Sequence, residues 1–329
     1  MSVAVAEPQN AARTRCMLCG QDDAWHTHLS RVLDYLTGEY FDIDRCESCG
    51  LMITRPMPTE AQIERYYPPR YRNNRHAFTG SMRVALRARA IESFFPNGFR
   101  GRLLDVGCGD GSFVMEMRRR GWDVCATELD PATVHRLQEQ GVDARQSQGA
   151  FEHPFREPFD AVTCWHVMEH VDRPLQVAEW VHTQLKPAGL FQATVPNAQS
   201  LQARLFKKQW LHLDVPRHRY HFCPSTFESL LRRARLEPVG RTMFAWEYDW
   251  FGAIQSALNE VCGTPNWLFE RLTRADVGPS TTTERSHPLD GAVSCLLAGP
   301  IALASLPAML IARLFGDGAT LTITARPAK

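Results

Sequence analysis

Between residues 101 and 240 the hydrophobic pattern switches repeatedly between short apolar runs and longer stretches at helical spacing. "RLLDVG" is a compact apolar run closed by glycine, and "SFVMEMRRRG" is a helix stopped at Gly121. "WDVCATEL" is a second strand. "DPATVHRLQEQG" is marked as a helix at both ends, with Asp130 as N-cap, Pro131 at the first helical position and Gly141 as the stop. "VDARQS" is a weaker third strand and "FDAVTCWHV" a fourth, followed by the helix "RPLQVAEWVHTQLKPAG" and a fifth strand, "LFQATVP". "STFESLLRRARL" predicts a helix capped by Ser225 or Thr226, and "EPVGRTMFAWEY" a strand. Strands alternating with helices of this length build βαβ units. An α/β fold with a mainly parallel sheet is therefore expected, with its ligand beyond the carboxyl ends of the strands.

The flanks read differently. Residues 1–15 form a disordered lead, 16–55 carry two cysteine pairs, 56–100 are a connector, and 241–329 are irregular and partly apolar. In the connector a polar loop, "PPRYRNNRHAFTGS", precedes "MRVALRARAIESFF", where Val84, Leu86, Ala90, Ile91 and Phe94 keep near-helical spacing. The chain's last residues, "GATLTITARPAK", alternate and are β-branched, as a strand would be.

Composition narrows the class. The 329 residues are enough for two domains or one large domain with additions, and 44% hydrophobic with 22% charged residues is ordinary core-forming material. A net charge of +1 argues against a nucleic-acid grip, which needs a basic face. The lead carries Glu7 and no apolar run before its arginines, so it is not expected to be a signal peptide. A reducing cytoplasm is then the default, where paired cysteines are metal ligands rather than disulfides.

The glycine loop "LLDVGCGDGSF" poses the question of ligand. Gly107, Gly109 and Gly111 follow a G-x-G-x-G spacing, and Ser112 stands where a dinucleotide fingerprint has its last glycine. Asp105 and Asp110 flank the loop and would repel a pyrophosphate, but they suit the cationic sulfonium of S-adenosylmethionine (SAM). Glu128 ends the next strand, where an acid accepts hydrogen bonds from ribose hydroxyls. Cys108, beside an acid, is a small residue filling the turn rather than a nucleophile.

Together with "ATELDP", "FDAVTCWHVMEHVDRP" and "GLFQATVPN", this loop resembles the successive motifs of the class I SAM-dependent methyltransferases over roughly residues 100–240. The resemblance implies a Rossmann-like seven-stranded sheet with helices on both faces, its last strand antiparallel, and SAM across the strand tips. It assigns Asp105, Gly107, Gly109 and Gly111 to the methionine and ribose loop and Glu128 to the ribose. Gln148, Gly149 and Ala150 of "SQGAF" fall beside the adenine, where the family often has Asp. Trp165 and His166 line the pocket at the end of the fourth strand.

Methyl transfer is an in-line displacement, and it needs a base only when the nucleophile is a hydroxyl or a carbon acid. His166 is one candidate, with Glu169 and His170 read as structural. The 27 residues between Pro196 and Pro224 are long for a βα connection and hold His212, Asp214, Arg217, His218 and His221. His218 and His221, three apart, are expected to share a face as further base candidates. His212 and Arg217 are candidates to grip a substrate carboxylate or phosphate.

"CMLCG" and "CESCG" place Cys16, Cys19, Cys46 and Cys49 at C-x2-C-x26-C-x2-C, the spacing of a tetrahedral structural zinc site in a small ribbon. Such ribbons precede the methyltransferase domain in sugar C-methyltransferases and in some ribosomal-RNA base methyltransferases. Tyr66, Tyr67 and Tyr71 of the connector are substrate-site candidates by the first likeness.

Ala292 to Ala312 contains no Asp, Glu, Lys or Arg and is long enough for a membrane span. If "TLTITARP" is the last strand of the sheet, a single crossing would strand it on the wrong side. The segment, within an apolar helical insertion over 292–315, is therefore either a monotopic hairpin or interfacial helix, or a soluble lid or dimer face. Arg271, Arg274, Arg285 and Arg313 would meet lipid phosphates. The expectation is a cytoplasmic methyltransferase, either free or seated at the inner face of the membrane, acting on a small-molecule, glycan or lipid-linked acceptor. An RNA base methyltransferase, a non-catalytic SAM-fold scaffold and an NAD-linked reductase are the alternatives.

Overall fold

A computed structural model describes residues 15–22, 24–67, 80–147, 155–273 and 289–328. Most of the 1–15 lead, Tyr71, the SQGAF candidates Gln148, Gly149 and Ala150, and Arg274 and Arg285 lie outside the described residues.

The central sheet uses β4 (Arg102–Val106), β5 (Asp123–Glu128), β6 (Asp143–Gln146), β7 (Phe159–Trp165), β8 (Leu185–Pro196), β10 (Leu236–Thr242) and β11 (Thr320–Pro327). Their order is β10-β11-β8-β7-β4-β5-β6. The pairs from β8 to β6 are all parallel, while β11 runs antiparallel to both β8 and β10. The expected seven strands are thus present, with the last one inserted antiparallel. Leu103, Leu104, Ala161, Val162, Leu190 and Phe191 are wholly buried, as strands covered on both faces require.

After α1 (Glu60–Ile63) and α2 (Gly80–Glu92) of the connector, helices α3 (Ser112–Arg119), α4 (Pro131–Glu139), α5 (Pro174–Gln184), α6 (Leu201–Phe206) and α7 (Pro224–Arg233) follow the strands of the sheet. Asp130 caps α4 as expected, accepting from the amides of Ala132 and Thr133. The cap of α7 is not Ser225 or Thr226 but Cys223; the Thr226 hydroxyl accepts from the Cys223 amide at 2.9 Å, and Pro224 holds the first helical position. The expected strand beyond Thr242 also ends early: Trp246 to Asn259 is a helix, α8. Asp249 fixes this turn, accepting from the Ala245 amide at 2.9 Å and the Ala319 amide at 2.5 Å, and so ties α8 to the start of β11.

At the N-terminus β1 (Trp25–Leu33), β2 (Tyr40–Cys46) and β3 (Met52–Arg55) form an antiparallel ribbon. It does not close on itself. A two-residue strand from the long loop after β8, β9 (Tyr220–His221), adds to β3 as the fourth strand. Thr54 reinforces the join, its amide donating to the Arg219 carbonyl at 3.0 Å and its hydroxyl to the His218 carbonyl at 2.6 Å. Arg233 of α7 donates to the carbonyls of Met17 and Leu18 in the first cysteine knuckle.

Beneath the ribbon lies Arg217, fully buried, as is its partner Asp34. Its Nη2 donates to Asp34 Oδ1 and Asp214 Oδ1, both at 2.8 Å, and its Nη1 to the Tyr66 carbonyl at 3.2 Å. The expectation that Arg217 grips substrate is therefore corrected: its guanidinium is used inside the fold, joining ribbon, connector and loop.

Helix α10 (Asp290–Phe315) is continuous, with Pro300 and Pro307 inside it, so the apolar segment is not a hairpin. It packs along α8 and α9 (Trp267–Thr273), and Trp250 Nε1 donates to the Ala302 carbonyl at 3.1 Å. Only 11% of its most apolar stretch is buried.

Removing one member of a buried ion pair leaves the other charge uncompensated. Arg217→Ala is expected to lower stability by about 3–5 kcal/mol in urea unfolding; a loss under ~1 kcal/mol would show that this cluster does not hold the ribbon.

Candidate active site

The glycine loop leaves β4 and enters α3 through three residues in the left-handed region, Gly107, Gly109 and Gly111. Two of them are also confined. A Cβ on Gly107 would lie 2.6 Å from Val167, and one on Gly111 2.8 Å from Leu137, whereas Gly109 faces open space. Gly109 is thus the point where the backbone is bare toward a ligand.

Two acids shape the loop. Glu128 accepts from the Gly109 amide at 2.7 Å and from the Leu129 amide at 2.8 Å. Asp105 is buried, with the Thr163 hydroxyl donating to it at 2.6 Å. Burial raises the Asp105 carboxyl to about 7 against the opposing hydrogen bond from Thr163 and the nearby charge of Arg87. The Cys108 thiol is pushed well up, by burial first and then by Asp105, and is inert as expected.

The far wall begins at the end of β7. Trp165 packs edge-on to Phe113, with the Arg87 guanidinium 4.5 Å above its ring and its Nε1 without a hydrogen-bond partner among the described residues. His166 takes a left-handed backbone, φ 57°, held by its amide bond to the Thr194 carbonyl at 2.8 Å. A non-glycine residue there is strained, a condition found at functional sites. Its Nδ1 stands 3.3 Å from Oε1 of Glu169, and its Nε2 is buried with no partner among the described residues. Burial pulls the imidazole down to about 3, helped by Arg87 and Arg83, and pushes the Glu169 carboxyl up to about 7. The imidazole is therefore neutral at pH 7.

His218 and His221 do not share a face. His221 sits in β9 with its Nε2 2.9 Å from the Thr54 hydroxyl. His218 turns Nδ1 to the His212 carbonyl at 2.9 Å and lies edge-on to His170, so that Glu169, His170 and His218 each bring one atom within 4.8 Å of the others. Tyr67 also meets this group, its hydroxyl 3.0 Å from His170 Nδ1. Strand pairing, invisible in a two-residue segment, is what separates the two histidines.

Sequence reasoning missed three neighbours of His166. Tyr248 of α8 lies against it, ring centroids 4.6 Å apart, and Arg83 and Arg87 come from α2 (Gly80–Glu92). Arg83 and Arg87 are one helical turn apart in "MRVALRARA", where the helical pattern singles out only the apolar positions.

The four cysteines converge. Cys16 and Cys49 sulfurs are 3.6 Å apart, as are Cys19 and Cys46, and all four lie within 4.8 Å of one another. A tetrahedron with metal–sulfur bonds of about 2.3 Å has edges of roughly 3.8 Å, so the donor set fits a zinc ion.

Comparison with known proteins decides the family. Residues 75–239 match the model of a methyltransferase domain. The chain belongs to the SAM-dependent methyltransferase family. It is 34% identical over 128 residues to a ubiquinone biosynthesis O-methyltransferase of Aeromonas salmonicida, covering 36% of this chain and about half, 54%, of that relative. To the enzyme of the same name from Aliivibrio fischeri it is 33% identical over 162 residues, 44% of this chain and 68% of the relative. Among solved structures, a 1,6-didemethyltoxoflavin-N1-methyltransferase from Burkholderia thailandensis aligns at a TM-score of 0.47 with 15% identity, covering 85% of this chain and 96% of its own.

In the ligand-free protein a neutral Asp105 is favoured by its surroundings. Its contribution to stability is full below the ordinary carboxyl range and is lost as pH rises through about 7. Thermal unfolding should show wild type losing stability relative to Asp105→Asn between pH 5 and 8. A difference that stays flat, or grows in wild type's favour as pH rises, would contradict the assignment.

Proposed function

We propose that this family member moves the SAM methyl group to a hydroxyl oxygen of a small-molecule acceptor, with His166 as the base. The observation carrying this is the geometry of His166 at the end of β7, its Nε2 buried without a partner among the described residues and its Nδ1 3.3 Å from Glu169 Oε1. The glycine loop and Glu128 would hold the nucleoside and methionine parts of the cofactor, with Trp165 alongside, and Arg87 would supply the cation for its carboxylate. When bound, the cofactor supplies an electrophilic methyl on a sulfonium, whose charge favours the ionised form of Asp105. The acceptor oxygen would bond to the methyl carbon as the sulfur–carbon bond breaks, its electron pair remaining with sulfur. The hydroxyl proton passes to His166 Nε2, and the Glu169 carboxyl faces the resulting imidazolium at Nδ1. The two ubiquinone-biosynthesis relatives are O-methyltransferases by name, which supports an oxygen acceptor; their match spans less than half of this chain, so their particular acceptor does not follow.

Zinc on Cys16, Cys19, Cys46 and Cys49 completes the reading as a structural ion, since four thiolates leave no open position. We further infer that α10 lies in a lipid interface at the cytoplasmic face of the membrane. Leu296, Leu303 and Leu314 are 74%, 71% and 82% exposed, and no charged side chain occurs between Asp290 and Arg313. An acceptor carried on a lipid or lipid-linked glycan fits that placement.

Calorimetry with SAM, followed by transfer of labelled methyl into cell extract, tests the chemistry. His166→Gln should retain SAM affinity and lose about 10²-fold or more in transfer rate. Gly109→Arg should fold, at a backbone cost of roughly 1–2 kcal/mol, and bind no SAM. Wild type that fails to bind SAM, or full activity in His166→Gln, would refute the reading.

Flotation with phosphatidylglycerol-containing vesicles tests the lipid contact. Wild type should float, and the double variant Leu296→Glu/Leu303→Glu should not. Wild type that stays off vesicles and forms a dimer lost in the same variant would make this face a protein interface instead.

A further inference from the structure

Arg83 is 8% exposed, yet no carboxylate lies within 4.0 Å of it among the described residues. Its polar contact is Nη1 to the Tyr248 hydroxyl at 3.2 Å, and its guanidinium stands 5.9 Å from the centre of the Tyr248 ring. Nε is buried with no partner among the described residues. A guanidinium removed from water without a counter-charge is costly, and an anion arriving beside it offsets that cost. The cofactor brings one carboxylate, and Arg87, over Trp165 and close enough to act on Asp105, is placed for it. Arg83 lies one turn further along α2, on the Tyr248 side. Tyr248 therefore stands between two groups with unfilled polar atoms, its ring 4.6 Å from the His166 imidazole centroid to centroid and its hydroxyl at Arg83.

We propose that Arg83 and Tyr248 form an anion subsite for the acceptor: a carboxylate or phosphate of the acceptor binds the Arg83 guanidinium while the hydroxyl to be methylated meets Nε2 of His166. The proposal rests on the methyl-transfer reading and names the acceptor's class within it, a hydroxyl compound that also carries an oxyanion. Arg83 is a specificity residue here. Its planar fork suits either anion, and the hydroxyl of Tyr248 adds a donor beside it.

The test uses full-length protein saturated with S-adenosylhomocysteine and three probes: phenyl phosphate, phenylacetate and the neutral phenylacetamide. Ligand-observed NMR should show at least one anion binding about tenfold or more tighter than the amide. The tighter of the two anions assigns the group as phosphate or carboxylate. Arg83→Gln should abolish the preference and leave affinity for S-adenosylhomocysteine unchanged. Equal binding of anions and amide to wild type would overturn the subsite, and this comparison decides it even if the variant does not fold. Loss of S-adenosylhomocysteine affinity in Arg83→Gln would overturn it too, by giving Arg83 to the cofactor. If wild type binds no S-adenosylhomocysteine, the methyl-transfer reading is what fails, and the same preference measured on ligand-free protein still decides the subsite.

Discussion

The buried pairing of Arg217 with Asp34 and Asp214 is the constraint on which the other contacts depend. A guanidinium with no exposure must be satisfied on every side, and Arg217 draws its partners from the ribbon, the connector and the loop that follows β8. That demand fixes the loop, and the fixed loop delivers β9 to β3 and His218 to His170. The Tyr67 hydroxyl and the Arg217 carbonyl both reach Nδ1 of His170, next in sequence to Glu169. Beside the β9–β3 pairing, this buried cation joins the ribbon to the loop whose Arg217 carbonyl meets His170, the neighbour of Glu169.

Electrostatics in the site follow from burial more than from the sequence's formal charges. Asp105 and Glu169 are both pushed up to about 7 and His166 down to about 3, so each is biased toward its neutral form before any ligand enters. Arg83 and Arg87 help to hold His166 neutral. A neutral imidazole with a free Nε2 is the form able to take a proton, and a sulfonium in the loop is the charge that would restore Asp105 to a carboxylate. Asp105, which in the sequence seemed simply to repel a phosphate, is held toward its neutral form by burial.

Much of this was legible in the sequence. Parallel strands buried on both faces leave near-continuous apolar runs, and Asp130, Pro131 and the glycine stops mark helix ends chemically, so the sheet and its loop could be placed from residues 101–240. The ribbon's cysteines were legible for the same reason, since ligand spacing is local. What escaped depends on contacts between distant segments. A strand of two residues has no period to detect, and nothing near Arg217 announces that it is buried. Trp246 starts a helix because Asp249 binds the Ala319 amide seventy residues away. Proline ordinarily breaks a helix, yet α10 runs through Pro300 and Pro307, supported along one side by α8 and α9. Arg83, Arg87 and Tyr248 reach the site from outside the motif-bearing stretch, where residue type alone reads as surface.

The central claim is that ribbon and cofactor-binding sheet form one cooperative unit joined at Arg217. Scanning calorimetry of the full-length, zinc-loaded protein tests it most directly, with SAM and then a chelator as the variables. The account predicts one unfolding transition, raised by SAM and lowered as a whole when zinc is removed. Two transitions, with the upper one responding to SAM and indifferent to zinc, would contradict it.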